Sequence, residues 1–261
     1  MLQVEPIPAF EDNYIWLLSD PDDGDDRVTV VDPGDAEPVI ERLRSGGRRL
    51  SAILLTHHHY DHQGGVADLL ACWPEALVAA PVDRRIGAAT VRVGEGDSVA
   101  PPGLGGGLQV LEVPGHTATH IAYLRDGALF CGDTLFAGGC GRVFDGSYAQ
   151  LAASLQRIAA LPPETLCYCA HEYTLANLGF AQWVEPENPV LSERIAFVRA
   201  ARDRGEPTVP SALGLELATN PFMRIGERGV IAAAESFAGT ALNDPTGVFS
   251  TLRRWKDERY D

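Results

Sequence analysis

An α/β domain reaching to about residue 171, followed by a smaller and mainly helical part, is the fold class that this 261-residue sequence predicts. Three observations predict it. Short apolar runs alternate with stretches of helical periodicity as far as His171, strand-like runs become scarce beyond it, and the chain is long enough to bury a substantial core. The expected domains are therefore 1–171 and 172–261. Hydrophobic residues make up 45% and charged residues 22%, which are globular proportions and exclude a disordered or fibrous chain.

Apolar runs at Tyr14–Leu18 and Val28–Val31 read as strands flanking an acidic turn, Asp20–Asp26. Asp35 is placed to cap the helical stretch EPVIERLR, which Gly46 and Gly47 end. Leu50–Leu55 is a short apolar run with polar neighbours and predicts a buried strand; Val66–Cys72 predicts a helix, and Leu77–Ala80 and Leu108–Val113 predict strands. Asp126-Gly127 between IAYLR and ALFCG signals a hairpin. A helix over Tyr148–Leu161 stops at Pro162-Pro163, and Thr165–Cys169 reads as a strand. Helices are then expected near Leu175–Val184, Ser192–Arg204 and Val248–Lys256. Gly103–Gly107 (GLGGG) lacks the Lys and the following helix of a phosphate loop and reads as a flexible turn.

With 21 basic and 36 acidic residues the formal net charge is 21 − 36 = −15, which argues against a nucleic-acid or anionic-membrane partner. No apolar run approaches about 18 residues, so no span is expected, and the start lacks the basic and apolar regions of a signal peptide. The cysteines Cys72, Cys131, Cys140, Cys167 and Cys169 are odd in number and form no CxxC pair. They fit reduced, buried thiols in a cytoplasmic protein rather than a disulfide framework or a thiolate zinc site.

The chemistry concentrates in Thr56-His57-His58-His59-Tyr60-Asp61-His62, directly after the Leu50–Leu55 run. His57, His59, Asp61 and His62 all carry side chains suited to divalent zinc- or iron-type metals. His57 and His59 at i and i+2 could share one ion, with Asp61 and His62 further round the turn serving a second. His116, Asp133 and His171 each follow a later apparent strand, where loops converge on a sheet edge. His58 reads as a satisfied or exposed residue and His120 as structural, with a contact to the site from behind also open.

These stretches resemble the metallo-β-lactamase superfamily and, within it, the glyoxalase II enzymes, the hydroxyacylglutathione hydrolases. The resemblance rests on THHHYDH (56–62), PGHTATH (114–120), CGDTLF (131–136), GGCGR (138–142), HEYT (171–174), NPF (220–222) and RRWKD (253–257), and spans nearly the whole chain. It implies a four-layered αβ/βα sandwich followed by a helical domain that binds glutathione. It further implies His57, His59 and His116 as ligands of one metal, Asp61, His62 and His171 as ligands of a second, and Asp133 bridging both. Zinc is the first expectation; a nitrogen and oxygen donor set also suits iron and manganese. The implied reaction is hydrolysis of S-D-lactoylglutathione to D-lactate and glutathione, the second step of methylglyoxal detoxification, by a monomer. Two ions sharing a water could lower its pKa, and the hydroxide so supplied, oriented by Asp61 and Asp133, could then attack the thioester carbonyl. Because a thiolate leaves readily, neither a strong general acid nor a Ser or Cys nucleophile is needed.

The family places glutathione-binding residues at positions matching Arg142, Tyr173, Arg253 and Lys256, the last being the chain's only lysine. Arg253 and Lys256 stand three apart, so on a helix they share a face and could hold one carboxylate. Phe144 stands where the family often has Tyr, and Thr119 where it usually has Gly. The alternative reading is another hydrolase of the same fold, a lactonase or a different thioesterase.

Overall fold

The computed structural model describes residues 2–260. The chain divides into two compact units, Met1–Glu112 with Thr119–Gly132 and Val113–Ala118 with Asp133–Asp261.

In the first unit, β1 (Gln3–Ala9), β2 (Asn13–Ser19), β3 (Arg27–Val31), α1 (Glu37–Gly46), β4 (Arg49–Leu54), α2 (Tyr60–Gln63), α3 (Val66–Cys72), β5 (Leu77–Pro81) and β6 (Val91–Val93) come first. The six strands form one mixed sheet in the order β1-β2-β3-β4-β5-β6, antiparallel over β1 to β3 and parallel from β3 to β6. Next come β7 (Ser98–Val99), β8 (Leu108–Glu112), β9 (Ile121–Arg125) and β10 (Ala128–Gly132), which pair antiparallel in that order; Asp126-Gly127 makes the β9–β10 turn, as the sequence predicts.

The sequence reading omits β1. Its Pro6 and Pro8 lower strand propensity, and an edge position is where a sheet tolerates proline. At α1 the N-cap position is Ala36 rather than Asp35, although Asp35 Oδ1 still accepts the Glu37 N–H at 3.0 Å; Gly47 closes the helix in the left-handed region. In the Asp20–Asp26 turn Asp25 accepts from the Arg27 N–H at 3.0 Å and Asp26 from the Arg49 guanidinium at 2.7 and 2.8 Å.

The core of this unit gathers Ile7, Ile15, Leu17, Val28, Val30 and Ile53 of the sheet with Val39 and Leu43 of α1 and Leu69 of α3. Each such side chain stabilises the fold by about 1.5–3 kcal/mol relative to exposure. β4 is buried along nearly its whole length, as a parallel strand covered on both faces must be. Tyr123 of β9 is fully buried and donates to the Leu55 and Ala79 carbonyls at 3.0 and 3.2 Å, fixing the chain just before Thr56; burial pushes its phenol pKa up.

The second unit holds β11 (Leu135–Phe136), β12 (Gly139–Cys140), α4 (Tyr148–Ala159), β13 (Leu166–Cys169), α5 (Thr174–Val184), α6 (Pro189–Asp203), β14 (Ser211–Ala212), α7 (Leu213–Thr219), α8 (Arg228–Ala238) and α9 (Pro245–Arg259). β11 pairs with β12 and β13 with β14, both antiparallel. α6 and α9 begin three residues earlier than their apolar periodicity predicts. Asn188 and Asp244 cap them through side-chain oxygens and a proline follows each cap, a start pattern that supplies both an acceptor and a preset φ. Leu178 and Ala181 of α5 pack with Leu191, Ile195 and Val198 of α6. Phe180, Phe222, Phe249 and Trp255 form a chain of ring contacts that ties α5 and α9 together. Among the described residues no helix is long and apolar enough to cross a membrane.

Candidate metal centre

In the first unit, the chain leaving β4 turns through Thr56–His59 into the single turn of α2, so four ligand-type side chains crowd into one loop. The His57 ring lies 4.6 Å from that of His59 and 4.1 Å from that of His62, centre to centre. Asp61 Oδ2 is 3.4 Å from His62 Nε2. His57 and His62 are fully buried, whereas the Asp61 side chain is 41% exposed.

A second set of residues orients these rings. Asp32 Oδ1 accepts the Thr56 N–H at 2.8 Å, and its Oδ2 accepts the Thr56 hydroxyl at 2.7 Å. With its proton so committed, Thr56 Oγ1 accepts from His57 Nδ1 at 3.0 Å, while Asp32 Oδ2 accepts from His62 Nδ1 at 3.1 Å. Both histidines therefore carry their proton on Nδ1 and keep Nε2 as the basic nitrogen, the one that could bind a metal. The His120 ring stacks on His57 at 4.6 Å and 20°, and Gly132 leaves room for it, since a Cβ there would lie 2.9 Å from the imidazole.

In the second unit, His116 Nδ1 donates to the Arg142 carbonyl at 2.7 Å, which leaves its Nε2 basic for the same reason. Asp133, just beyond β10, presents Oδ2 at 3.5 Å to His116 Nε2 and Oδ1 at 3.4 Å to His171 Nε2. One carboxylate thus faces two histidines, each through a different oxygen. The donors, imidazole nitrogen and carboxylate oxygen, fit zinc, iron or manganese. Gly141 carries no Cβ because one would lie 2.1 Å from the Asp133 carbonyl and 2.9 Å from His116 Nδ1.

The other predicted residues fall around this half. Tyr173 stacks on His171 at 4.7 Å and 4°, and Phe136 stands edge-on to both rings. Phe144, largely exposed, meets the His116 ring edge-on at 5.2 Å, so the ring packs there without a phenol hydroxyl. Arg142 reaches within 3.7 Å of Asp257. Arg253 and Lys256 are both buried on α9; Arg253 donates to the Cys140 carbonyl at 3.0 Å and to Asp257 at 2.8 Å, and lies over Phe222. Cys140 is fully buried, and burial pushes its thiol up to about 11 despite Arg253 nearby, which suits packing and not nucleophilic attack.

Sequence reasoning misses Asp32, whose VDPG context reads as an ordinary turn; its positive φ of 52° is the one local oddity, and it has no signature in the sequence. Asp83 is missed too. The Arg85 guanidinium holds its carboxyl well below the usual carboxylate range, with the Thr119 hydroxyl and the Arg85 N–H adding to the effect against burial. Asp83 Oδ2 also lies 3.6 Å from His58 Nδ1. Thr119 has an ordinary negative φ, so the position usually held by Gly needs none here, and its side chain bonds the Asp83 loop.

Residues 11–171 match the family model "Metallo-beta-lactamase superfamily", and residues 172–259 match "Hydroxyacylglutathione hydrolase C-terminus". The chain is 55% identical over 258 residues to a hydroxyacylglutathione hydrolase of Alkalilimnicola ehrlichii, covering 99% of this chain and 100% of that protein. It is 52% identical over 260 residues to one of Ectopseudomonas mendocina, covering 98% and 99%. Among solved structures it is similar to TTHA1623 in a di-iron-bound form, at 27% identity and a TM-score of 0.60, covering 84% of this chain and 100% of that one. A mixed α/β fold with a helical C-terminal region, the histidine and aspartate loops, and relatedness along its whole length place the chain in the hydroxyacylglutathione hydrolase family of the metallo-β-lactamase superfamily.

Proposed function

We propose that this protein hydrolyses S-2-hydroxyacylglutathione thioesters, S-D-lactoylglutathione foremost, to the free hydroxy acid and glutathione, as the second step of methylglyoxal detoxification. In this reading His57, His59 and His116 hold one divalent ion, Asp61, His62 and His171 hold a second, and Asp133 belongs to both. Zinc is the first candidate, with iron and manganese compatible; the relative solved in a di-iron-bound form supports a two-metal site of this kind. The observation that carries the reading is the Asp133 carboxylate, one oxygen facing His116 and the other His171.

When bound, such a pair of ions supplies a water of lowered pKa and a Lewis acid for the carbonyl oxygen. The chain's own part is to hold that pair and to orient the substrate. The Nδ1 protons of His57, His62 and His116 are held by Thr56, Asp32 and the Arg142 carbonyl, so each ring turns its Nε2 toward the ion it would bind. Asp61 and Asp133 offer the carboxylate oxygens that would orient the attacking hydroxide. Arg142, Phe144, Tyr173, Arg253 and Lys256 form the recognition side, with residues 172–261 as the substrate-binding domain after a metal-binding domain of 1–171. Local basic groups are needed there, because a chain at −15 repels an anionic thioester on average. We further propose that the protein works as a monomer in the cytoplasm.

Hydrolysis of S-D-lactoylglutathione, compared with a glutathione-free lactoyl thioester and a simple lactone, tests the reading. Strong preference for the glutathione thioester is expected. Equal rates on all three would keep the metal chemistry and discard the substrate, and no thioester cleavage by fully metallated protein would overturn the reading.

A further inference from the structure

The β1–β2 hairpin ends beside the ligand loop of the first unit. Its register pairs Ala9 with Asn13, so the turn is Phe10-Glu11-Asp12, opened by Phe10 in the left-handed region at φ 52°. Asn13 is 7% exposed, an amide carried inward between two acidic turn residues and a buried strand. Its Nδ2 donates to the Asp61 carbonyl and to Asp61 Oδ2, both at 3.3 Å. From another side Gly34 abuts the same peptide, for a Cβ at that position would lie 1.9 Å from the Asp61 carbonyl oxygen and 2.8 Å from the Phe10 ring. Asp61 itself sits on a helix of only four residues, its side chain 41% exposed and its Oδ2 3.4 Å from His62 Nε2, so the Asn13 amide holds the carboxylate from the side opposite its own element. A carboxylate at position 13 would repel Asp61, and an apolar residue would withdraw the donor from its Oδ2. Only a neutral donor can both tolerate and direct it.

We propose that Asn13 is a positioning residue for Asp61: its side-chain amide sets the orientation of the Asp61 carboxylate and so the affinity of one of the two metal positions. The inference rests on the two-metal reading above and adds to it a residue that touches neither metal nor substrate. Outer partners of ligating groups commonly govern affinity by 10- to 100-fold.

The test uses Asn13→Ala and Asn13→Asp in the full-length protein, the second variant preserving shape while deleting the donor. Zinc per chain is measured after gel filtration, and the affinity of each equivalent by competition with a chromophoric chelator, beside a thermal unfolding scan. The expected result is two equivalents in the wild type; in both variants one keeps its affinity and the other weakens by about 10- to 100-fold. If Asn13→Asp retained both affinities, Asn13 would be a space-filler and the proposal would be overturned. Equal weakening of both equivalents would also overturn it, by showing a general structural role. A wild-type chain that holds fewer than two equivalents would instead remove the two-metal reading and this proposal with it.

Discussion

Oδ2 of Asp32 lies 3.1 Å from Nδ1 of His62, with both side chains buried and the carboxylate at the same time bonded to the Thr56 amide and hydroxyl. This one acid, from the end of β3, sets the tautomer of His62 directly and that of His57 through Thr56. It also accepts a buried backbone N–H that would otherwise go unpaired.

Removal of Asp32 therefore has two separable effects. Asp32→Ala is expected to cost about 3 kcal/mol of stability, since buried hydrogen bonds to a charged group are lost together. Asp32→Asn tolerates the positive φ and keeps an acceptor for Thr56, so its loss is expected to be about 1 kcal/mol. Both should weaken metal binding about 10- to 100-fold, because neither leaves an anion to hold the Nδ1 proton of His62. Urea unfolding and chelator competition check the two effects independently. Wild-type metal affinity in Asp32→Asn would show that the tautomer is set elsewhere.

The run of ligand-type residues is legible in the sequence because four such side chains fall within six residues after an apolar strand, a local pattern that needs no fold to be seen. Asp32 is not, because its partners Thr56 and His62 are 24 and 30 residues away and only the β3–β4 pairing brings them close. The same holds for Asp83 and Thr119, 36 residues apart. Among the secondary elements, β11, β12 and β14 have two residues each, too short for any alternation to register. α8 differs: Ala232-Ala233-Ala234 are strong helix formers, a propensity signal that a search for apolar periodicity passes over.

Thiol reactivity separates Cys72 from the buried cysteines. Cys72 is exposed, while burial pushes Cys140 up to about 11, Cys169 up to about 12 and Cys167 higher still. Alkylation of the folded protein at pH 8 is expected to modify Cys72 quickly and these three slowly; all five react once the chain is unfolded. Intact-mass spectrometry over time reads the count, and rapid modification of Cys140 would contradict the packing described for it.

Asp83 makes stability depend on acid in a known direction. Its folded pKa lies below the ordinary value of 3.8, so its contribution is fully present above that value and is lost as the pH falls through the depressed one. Asp83→Asn is expected to cost about 1–3 kcal/mol at pH 7, with the gap from wild type constant down to about pH 5 and closing below pH 4. Thr119→Gly should cost about 1–2 kcal/mol, through the lost hydroxyl bond and a more flexible unfolded chain. Urea midpoints at pH 7, 5 and 3 decide this, and a gap that stays constant to pH 3 would rule out Asp83 as the titrating group.

Arg253 and Lys256 share a buried face of α9 but are engaged differently, and kinetics should separate them. Arg253 is 1% exposed and spends its guanidinium on the Cys140 carbonyl, Asp257 and the Phe222 ring. Arg253→Ala is therefore expected to lower stability by about 2–3 kcal/mol, because it leaves a buried carbonyl without its donor. Lys256 lies near the C-terminal end of the helix with its ammonium 5.8 Å from the centre of the half-buried Tyr260 ring, a contact that can be exchanged for one to an anionic ligand. If it binds the glutathione carboxylate equally in the ground and transition states, Lys256→Ala raises KM about tenfold while kcat changes little. Steady-state hydrolysis of S-D-lactoylglutathione, run beside urea unfolding, distinguishes the two residues. An unchanged KM in Lys256→Ala would place carboxylate recognition elsewhere on the chain.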